Sequence, residues 1–317
     1  MHSLATIDII AALVKTFIII LPGYIVTKLG IINEQHTAGM SALITCVTYP
    51  CLVITAMQME FSMRVLNNCK YVVLIFLGSV IIALLLAKII SAIVKLPPER
   101  SGIFAFMLVF GNTGFIGLPV LYALLGKEAV FYGALCDSSY DIFMFTIGIT
   151  LIRNGASGED MKLTKTLKGL INPCFIGVLI GLTLYICRIT LPDIIAVPVD
   201  HIGDITSPLA MIVVGSHLAR VRIRDLFTSG YAYLVCLMKL IVFPLIALLM
   251  VNIVLGTDDT IMASVIVLQA AMPCAMLSVI LSDRYHGDVQ FASTGVMLTT
   301  LLCIITIPLH AILLQQI

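Results

Sequence analysis

Residues 107–125 read MLVFGNTGFIGLPVLYALL, an apolar run interrupted at its centre by Gly111, Asn112, Thr113, Gly114, Gly117 and Pro119. About 20 apolar residues suffice to cross a bilayer as a helix. Proline removes a backbone donor and clashes with the carbonyl one turn back, and glycine lets the chain leave helical geometry. A continuous helix is therefore not expected here. Lipid cannot satisfy the freed backbone groups, so the break must line a polar cavity or be buried in protein. Glycine and proline in membrane helices can also serve close packing or a simple kink. Against that stands a second interruption, in residues 267–278 (VLQAAMPCAMLS), where Gln269, Met272 and Pro273 sit in the middle of another apolar run. Paired broken helices would present the positive ends of half-helices, an arrangement suited to an anion.

The rest of the chain has the same apolar character. Of 317 residues, 60% are hydrophobic and 11% charged, and the mean hydropathy is +1.13. A soluble domain carries about 25% charged residues, so the composition predicts an all-α polytopic membrane protein. Apolar runs place ten helical spans near 6–28, 37–58, 70–94, 101–125, 128–152, 170–188, 202–220, 230–253, 260–283 and 288–313. They are numbered here as spans 1 to 10. A net charge of +1 supplies no field for nucleic acid, which is not expected as a partner. The nine cysteines form no CxxC and fall mostly in apolar runs, so neither a disulfide framework, a metal site nor a cofactor is expected. The first apolar run lacks a basic leader and a cleavage signal and is expected to remain as span 1.

The basic residues suggest an orientation. Loops after odd-numbered spans hold eleven Lys and Arg, among them Lys95, Arg100, Arg153 and Arg220, against four on the other side, Arg64, Lys70, Lys127 and Arg188. The positive-inside rule then makes the odd loops cytoplasmic and puts both termini outside. Asp200, His201, Asp204 and His217 read as ordinary interfacial residues of span 7.

The halves also match each other in register. Pro50 and Pro208 are 158 apart, RVLNNCKYVVL (64–74) lies over RDLFTSGYAYL (224–234) at an offset of 160, and Gly126 and Gly287 are 161 apart. The Gly- and Ser-bearing stretch at 153–169 divides the two as a cytoplasmic linker. Residues 1–152 and 170–317 are thus expected to be five-span repeats. An odd number of spans inverts the second against the first, an architecture of transporters whose sites lie at the repeat interface. The 161-residue offset puts Pro273 over Asn112, so both repeats break at one level.

Charge inside a membrane costs about 2.5–3.5 kcal/mol at a helix centre and calls for an explanation. Asp137 and Asp141 lie four apart, on one face of span 5. Two such carboxylates would not both ionise readily in low dielectric, which makes one a candidate proton carrier. The alternative is a structural hydrogen-bond pairing with Ser138, Ser139 or Tyr140. Lys239 in span 8 could pair with an aspartate or attract an anion, or it could snorkel or brace the fold. Thr48, Tyr49, Thr206 and Ser207 precede Pro50 and Pro208. They could contact a substrate or satisfy the carbonyls that those prolines release.

GNTGFIGLPVL, the proline-bearing spans 2 and 7, the AAMP break and the chain length resemble the auxin efflux carrier family, in its short prokaryotic form, malate/malonate permease-like and without a large central loop. The resemblance covers essentially the whole chain and is strongest over 100–135 and 262–300. Plant members have a related Asn-Thr followed by Gly-x-Pro, matched by Asn112, Thr113, Gly117 and Pro119. They have proline before that asparagine, where this chain has Gly111. The resemblance implies ten helices in two inverted five-helix repeats, with helices 4 and 9 crossing at mid-membrane. It implies a scaffold of spans 1, 2, 6 and 7 that often forms a homodimer, and a transport bundle of spans 3, 4, 5, 8, 9 and 10. It further implies an organic anion as substrate, such as auxin in plants or malate or malonate in bacteria, with Asn112 helping to bind the carboxylate.

The expected function is therefore secondary transport of a small organic anion across the cell membrane by alternating access. The substrate would bind at Gly111, Asn112, Thr113, Gly114, Pro119, Gln269, Met272 and Pro273, with Asp137, Asp141 and Lys239 as candidates for coupling or charge relay. An intramembrane enzyme would need a second catalytic constellation beside DSSYD (137–141). A channel or sensor on a transporter scaffold remains the other alternative.

Overall fold

The structure, a computed structural model, describes residues 6–155, 172–220, 230–255 and 260–315. Most of the 153–169 linker and the loop at 224 lie outside them. The described residues are helical, without strands. Among them six helices are long and apolar enough to cross a membrane: Ile7–Lys28, Glu34–Ala56, Met63–Ile93, Asp193–Ala219, Gly230–Val254 and Val289–Leu313. Thr113–Leu125, Pro173–Ile186 and Thr260–Ala270 are shorter apolar helices. In Met63–Ile93 the exposed residues Ile81, Leu85, Ile89 and Ile93 recur every fourth position, while Ala83 and Ala87 are buried. This is the pattern of a helix with one face on protein and an apolar face turned to lipid.

Span 7 begins earlier than expected. It runs as Asp193–Asp204 and, after Ile205, as Thr206–Ala219. Pro198, Asp200 and Asp204 give the first part the look of a loop in sequence. The structure places them in a helix whose Asp200 is paired with Lys127 at 2.8 Å.

Proline accounts for most of the irregular turns. The π-turns Ile44–Thr48, Thr113–Gly117 and Met238–Val242 each end two residues before a proline, namely Pro50, Pro119 and Pro244. The missing N–H cannot bond four residues back, so the preceding turn widens. The amides of Tyr49 and Phe243 reach five residues back, to the carbonyls of Ile44 and Met238. Leu240, four residues before Pro244, has its carbonyl taken by His310 Nε2 at 2.7 Å.

The threonines ahead of Pro50 and Pro208 do not satisfy the carbonyls that those prolines release. Thr48 and Thr206 are 2% and 1% exposed, and their hydroxyls have no hydrogen-bond partner among the described residues. Ahead of Pro50 the widened turn already absorbs the backbone defect, and ahead of Pro208 the helix is interrupted at Ile205. A buried unpaired hydroxyl costs about 1 kcal/mol or more, so Thr48→Val and Thr206→Val are each expected to raise the melting temperature in detergent by a few degrees. A fall in either would mean that the hydroxyl has a partner.

The chain divides into two compact units, Met1–Val72 with Gly114–Ser138 and Ile171–Val221, and Val73–Thr113 with Ser139–Leu170 and Arg222–Ile317. In the first, spans 1 and 7 pack backbone to backbone where Gly23 meets Ile212 and Gly215 meets Ile20. Span 6 lays Gly177 on Pro50 of span 2, and span 7 lays Gly203 on Leu52. In the second, Pro98–Val109 packs through Gly102 on the backbone of Leu151. Gly295 of span 10 faces Met107 and Val235.

Candidate functional site

The two interrupted helices meet in the second unit. Span 4 leaves the helix at Phe110, which is extended, and span 9 leaves it after Ala270. The two loosened segments run antiparallel. Ala275 N–H donates to Phe110 O at 3.0 Å and Asn112 N–H donates to Pro273 O at 2.7 Å, around a bridge between Gly111 and Cys274. Backbone groups freed by one break are thus satisfied by the other, which is how broken helices become tolerable at membrane depth. Thr299 of span 10 completes the pairing, its Oγ1 accepting from Cys274 N–H at 3.1 Å. Sequence reasoning does not single out this threonine, which lies 25 residues from its partner inside an unbroken helix.

The Asn112 side chain is the exception to this satisfaction. It is half-buried, and its carboxamide makes no hydrogen bond among the described residues. Beside it, a Cβ on Gly111 would lie 3.4 Å from Met272 Cβ and 3.4 Å from Lys239 Nζ. Gln269 and Met272 are fully buried around the same break.

Lys239 sits in the π-turn ahead of Pro244 and is 0% exposed. It does not snorkel. Its ammonium donates to the carbonyls of Leu108 at 3.2 Å and Val109 at 3.3 Å, and lies 4.8 Å from the centre of the Phe243 ring. Nor does it pair with an aspartate among the described residues. These carbonyls end the first half of span 4, where the helix dipole is negative, so the lysine caps the break as a tethered cation.

In the first unit, the other half of span 4 packs against span 5. Tyr49 Oη donates to Asp137 Oδ2 at 2.6 Å. A Cβ on Gly114 would lie 3.3 Å from the same oxygen and 3.5 Å from Tyr49 Cε2. Asp137 is therefore held across the helices by Tyr49, a residue 88 positions away, in addition to whatever its helical neighbours supply. Asp141 stands one turn further along span 5 and is half-buried. Pro119 begins the second half of span 4 and borders a cavity with Lys15 and Ser207. Lys15, like Lys239, is a cation inside an apolar span that the sequence contains in plain view.

A family model described as membrane transport protein matches residues 8–311. The chain belongs to the auxin efflux carrier family of membrane transport proteins. Among its relatives is an uncharacterized transporter of Methanocaldococcus jannaschii, 23% identical over 295 residues, covering 92% of this chain and 94% of that one. Another, an uncharacterized transporter of Methanothermobacter thermautotrophicus, is 25% identical over 308 residues, covering 95% and 96%. Family membership and the run of apolar helices make this a multi-pass membrane protein of transporter kind.

Proposed function

We propose that the protein is a secondary transporter that carries a small organic anion across the cell membrane by alternating access, with the crossing of spans 4 and 9 as its binding site. The observation that carries this reading is the Asn112 carboxamide, half-buried and without a partner among the described residues, beside a fully buried lysine at a break in the helix. A polar donor left open in such a place suits a carboxylate that arrives and leaves.

Two further observations support the inverted-repeat architecture. The 161-residue offset superposes Asn112 on Pro273, and the amide of the first donates to the carbonyl of the second. Equivalent positions of two inverted repeats meet only near the axis that relates them. Spans 1, 2, 6 and 7 also fall in one compact unit, as a scaffold would, although residues 114–138 group with them. On this reading the scaffold pairs in a homodimer, spans 3, 4, 5, 8, 9 and 10 form the moving bundle, and both termini lie outside.

Purified protein in liposomes, loaded with unlabelled malate and supplied with labelled malate, malonate or indole-3-acetate, is expected to show saturable counterflow of at least one of them. Asn112→Ala is expected to raise the KM for that anion about tenfold or more, the loss of one hydrogen bond to a charged group. Uptake of all three at the level of empty liposomes, or an unchanged KM, would remove the site. Uncoupled ionic current without counterflow would make it a channel.

A further inference from the structure

Span 1 has three faces. Ile7, Ile10, Val14, Ile18, Leu21 and Ile25 are exposed apolar residues on one side, and Ile9, Leu13, Phe17 and Ile20 are buried on another. The third face is a stripe of Asp8, Ala12, Lys15, Thr16 and Ile19, at spacings of three, four and seven residues. That stripe borders an open cavity of about 460 Å³, lined also by Pro119, Tyr122 and Ser207, all within the first unit.

Lys15 is the informative residue in it. In a span of 22 residues running Ile7–Lys28 it stands eight residues from the start. That is about 12 Å along the axis, within about 5 Å of the middle. It makes no hydrogen bond or ion pair among the described residues. Lys15 is exposed and borders the cavity. An ammonium at that depth is tolerable where it snorkels to the interface or stands in a water-filled space. The cavity supplies the second, and such residues mark ion and substrate paths. Asp8 lines the same cavity two turns away, about 10 Å along the axis, so the negative charge stands at the outer end of the stripe and the ammonium at the inner. Lys15 is thus the one charged residue that lines the inner part of the cavity among the described residues.

We infer that this cavity is an anion-binding vestibule, in which the Lys15 ammonium holds a small carboxylate or sulfonate beside Pro119 and Ser207. Its biological purpose rests on the carrier reading above, but its chemistry does not. Lys15 acts there as a positioning charge, distinct from Asn112 and Lys239.

The test uses thiol reagents as probes, admitted to both faces of liposomes containing the full chain with Ala12→Cys, and labelling is read at residue 12 by peptide mass spectrometry. With Lys15 present, sulfonatoethyl methanethiosulfonate is expected to react at least about tenfold faster, relative to its trimethylammonium counterpart, than it does with a free thiol. One nearby charge in a space of intermediate dielectric accounts for that ratio. Adding Lys15→Gln is expected to remove the preference and Lys15→Arg to keep it, which separates charge from misfolding. Val14→Cys, on the lipid face, is expected to react with neither reagent. An unreactive thiol in the Ala12→Cys protein, or a preference that survives Lys15→Gln, would overturn the vestibule. Should the preference behave as expected while no organic acid shows counterflow, the carrier reading fails and the anion site stands.

Discussion

Gly215→Ala is expected to abolish the folded protein, with no monodisperse peak in detergent where the wild type gives one, and Gly23→Ala is expected to do nearly the same. A Cβ on Gly215 would run into the carbonyl of Ile20 and sit 2.8 Å from the amide nitrogen of Tyr24, while one on Gly23 would run into the carbonyl of Ile212. These are backbone atoms of helices, so neither neighbour can move aside by a change of rotamer. Overpacking typically costs about 1–3 kcal/mol, and a clash between two rigid helices belongs at or above the top of that range. The same crossing is fastened below by Thr27 Oγ1, which donates to Ser216 Oγ at 2.9 Å, and by Arg220, which donates to Thr37 Oγ1 at 2.7 Å. Separating the helices would therefore break part-buried polar contacts as well. Gly39 is the internal control. It lies in the helix Glu34–Leu43 with nothing within 4 Å of a Cβ. Gly39→Ala is thus expected to stabilise by about 0.5–1 kcal/mol through helix propensity. Loss of melting temperature in Gly39→Ala equal to that in Gly215→Ala would show that contact geometry is not the cause.

Nothing in the sequence distinguishes Gly215 from Gly39, because close approach depends on which helix lies opposite. What the sequence does reveal is everything that depends on a local run. Hydropathy marks the six helices that are long and apolar enough to cross a membrane among the described residues, and Gly111, Asn112, Gly114 and Pro119 announce a break because each weakens a helix by itself. The offset of 161 even aligns Asn112 with Pro273, and the structure joins them by a 2.7 Å hydrogen bond. The first part of span 7, Asp193–Asp204, is illegible for the opposite reason: its charges and Pro198 satisfy the local criteria for a loop, while the helix packs on span 2, where Gly203 meets the backbone of Leu52. Side-chain partners are equally out of reach. Tyr49 stands next to Pro50, which invites a local role, yet its hydroxyl goes to Asp137 of span 5. Lys239 in the sequence has an aspartate, the interface and the fold to choose between, and only the three-dimensional arrangement shows it against the open end of span 4.

That placement leads to the second large effect. Lys239→Met is expected to leave the protein folded but to lower anion counterflow at least about a hundredfold. For stability, two opposing terms nearly cancel. Methionine removes an ammonium whose burial costs several kcal/mol, and it leaves the carbonyls of Leu108 and Val109 without their charged donor, a loss of about 1.5–3 kcal/mol for each hydrogen bond. The melting temperature is therefore expected to move by only a few degrees. Transport has no such compensation. The negative end of the first half-helix of span 4 would then stand uncapped beside Asn112, so on the carrier reading an incoming carboxylate would meet repulsion in place of a fixed positive charge. Lys239→Arg keeps the charge but cannot place a planar, longer head group in a fully buried site fitted to a single nitrogen, so partial transport is expected. Counterflow by Lys239→Met within threefold of the wild type would show that the lysine serves only to close the break in the helix. A large drop in melting temperature for both variants would show the same.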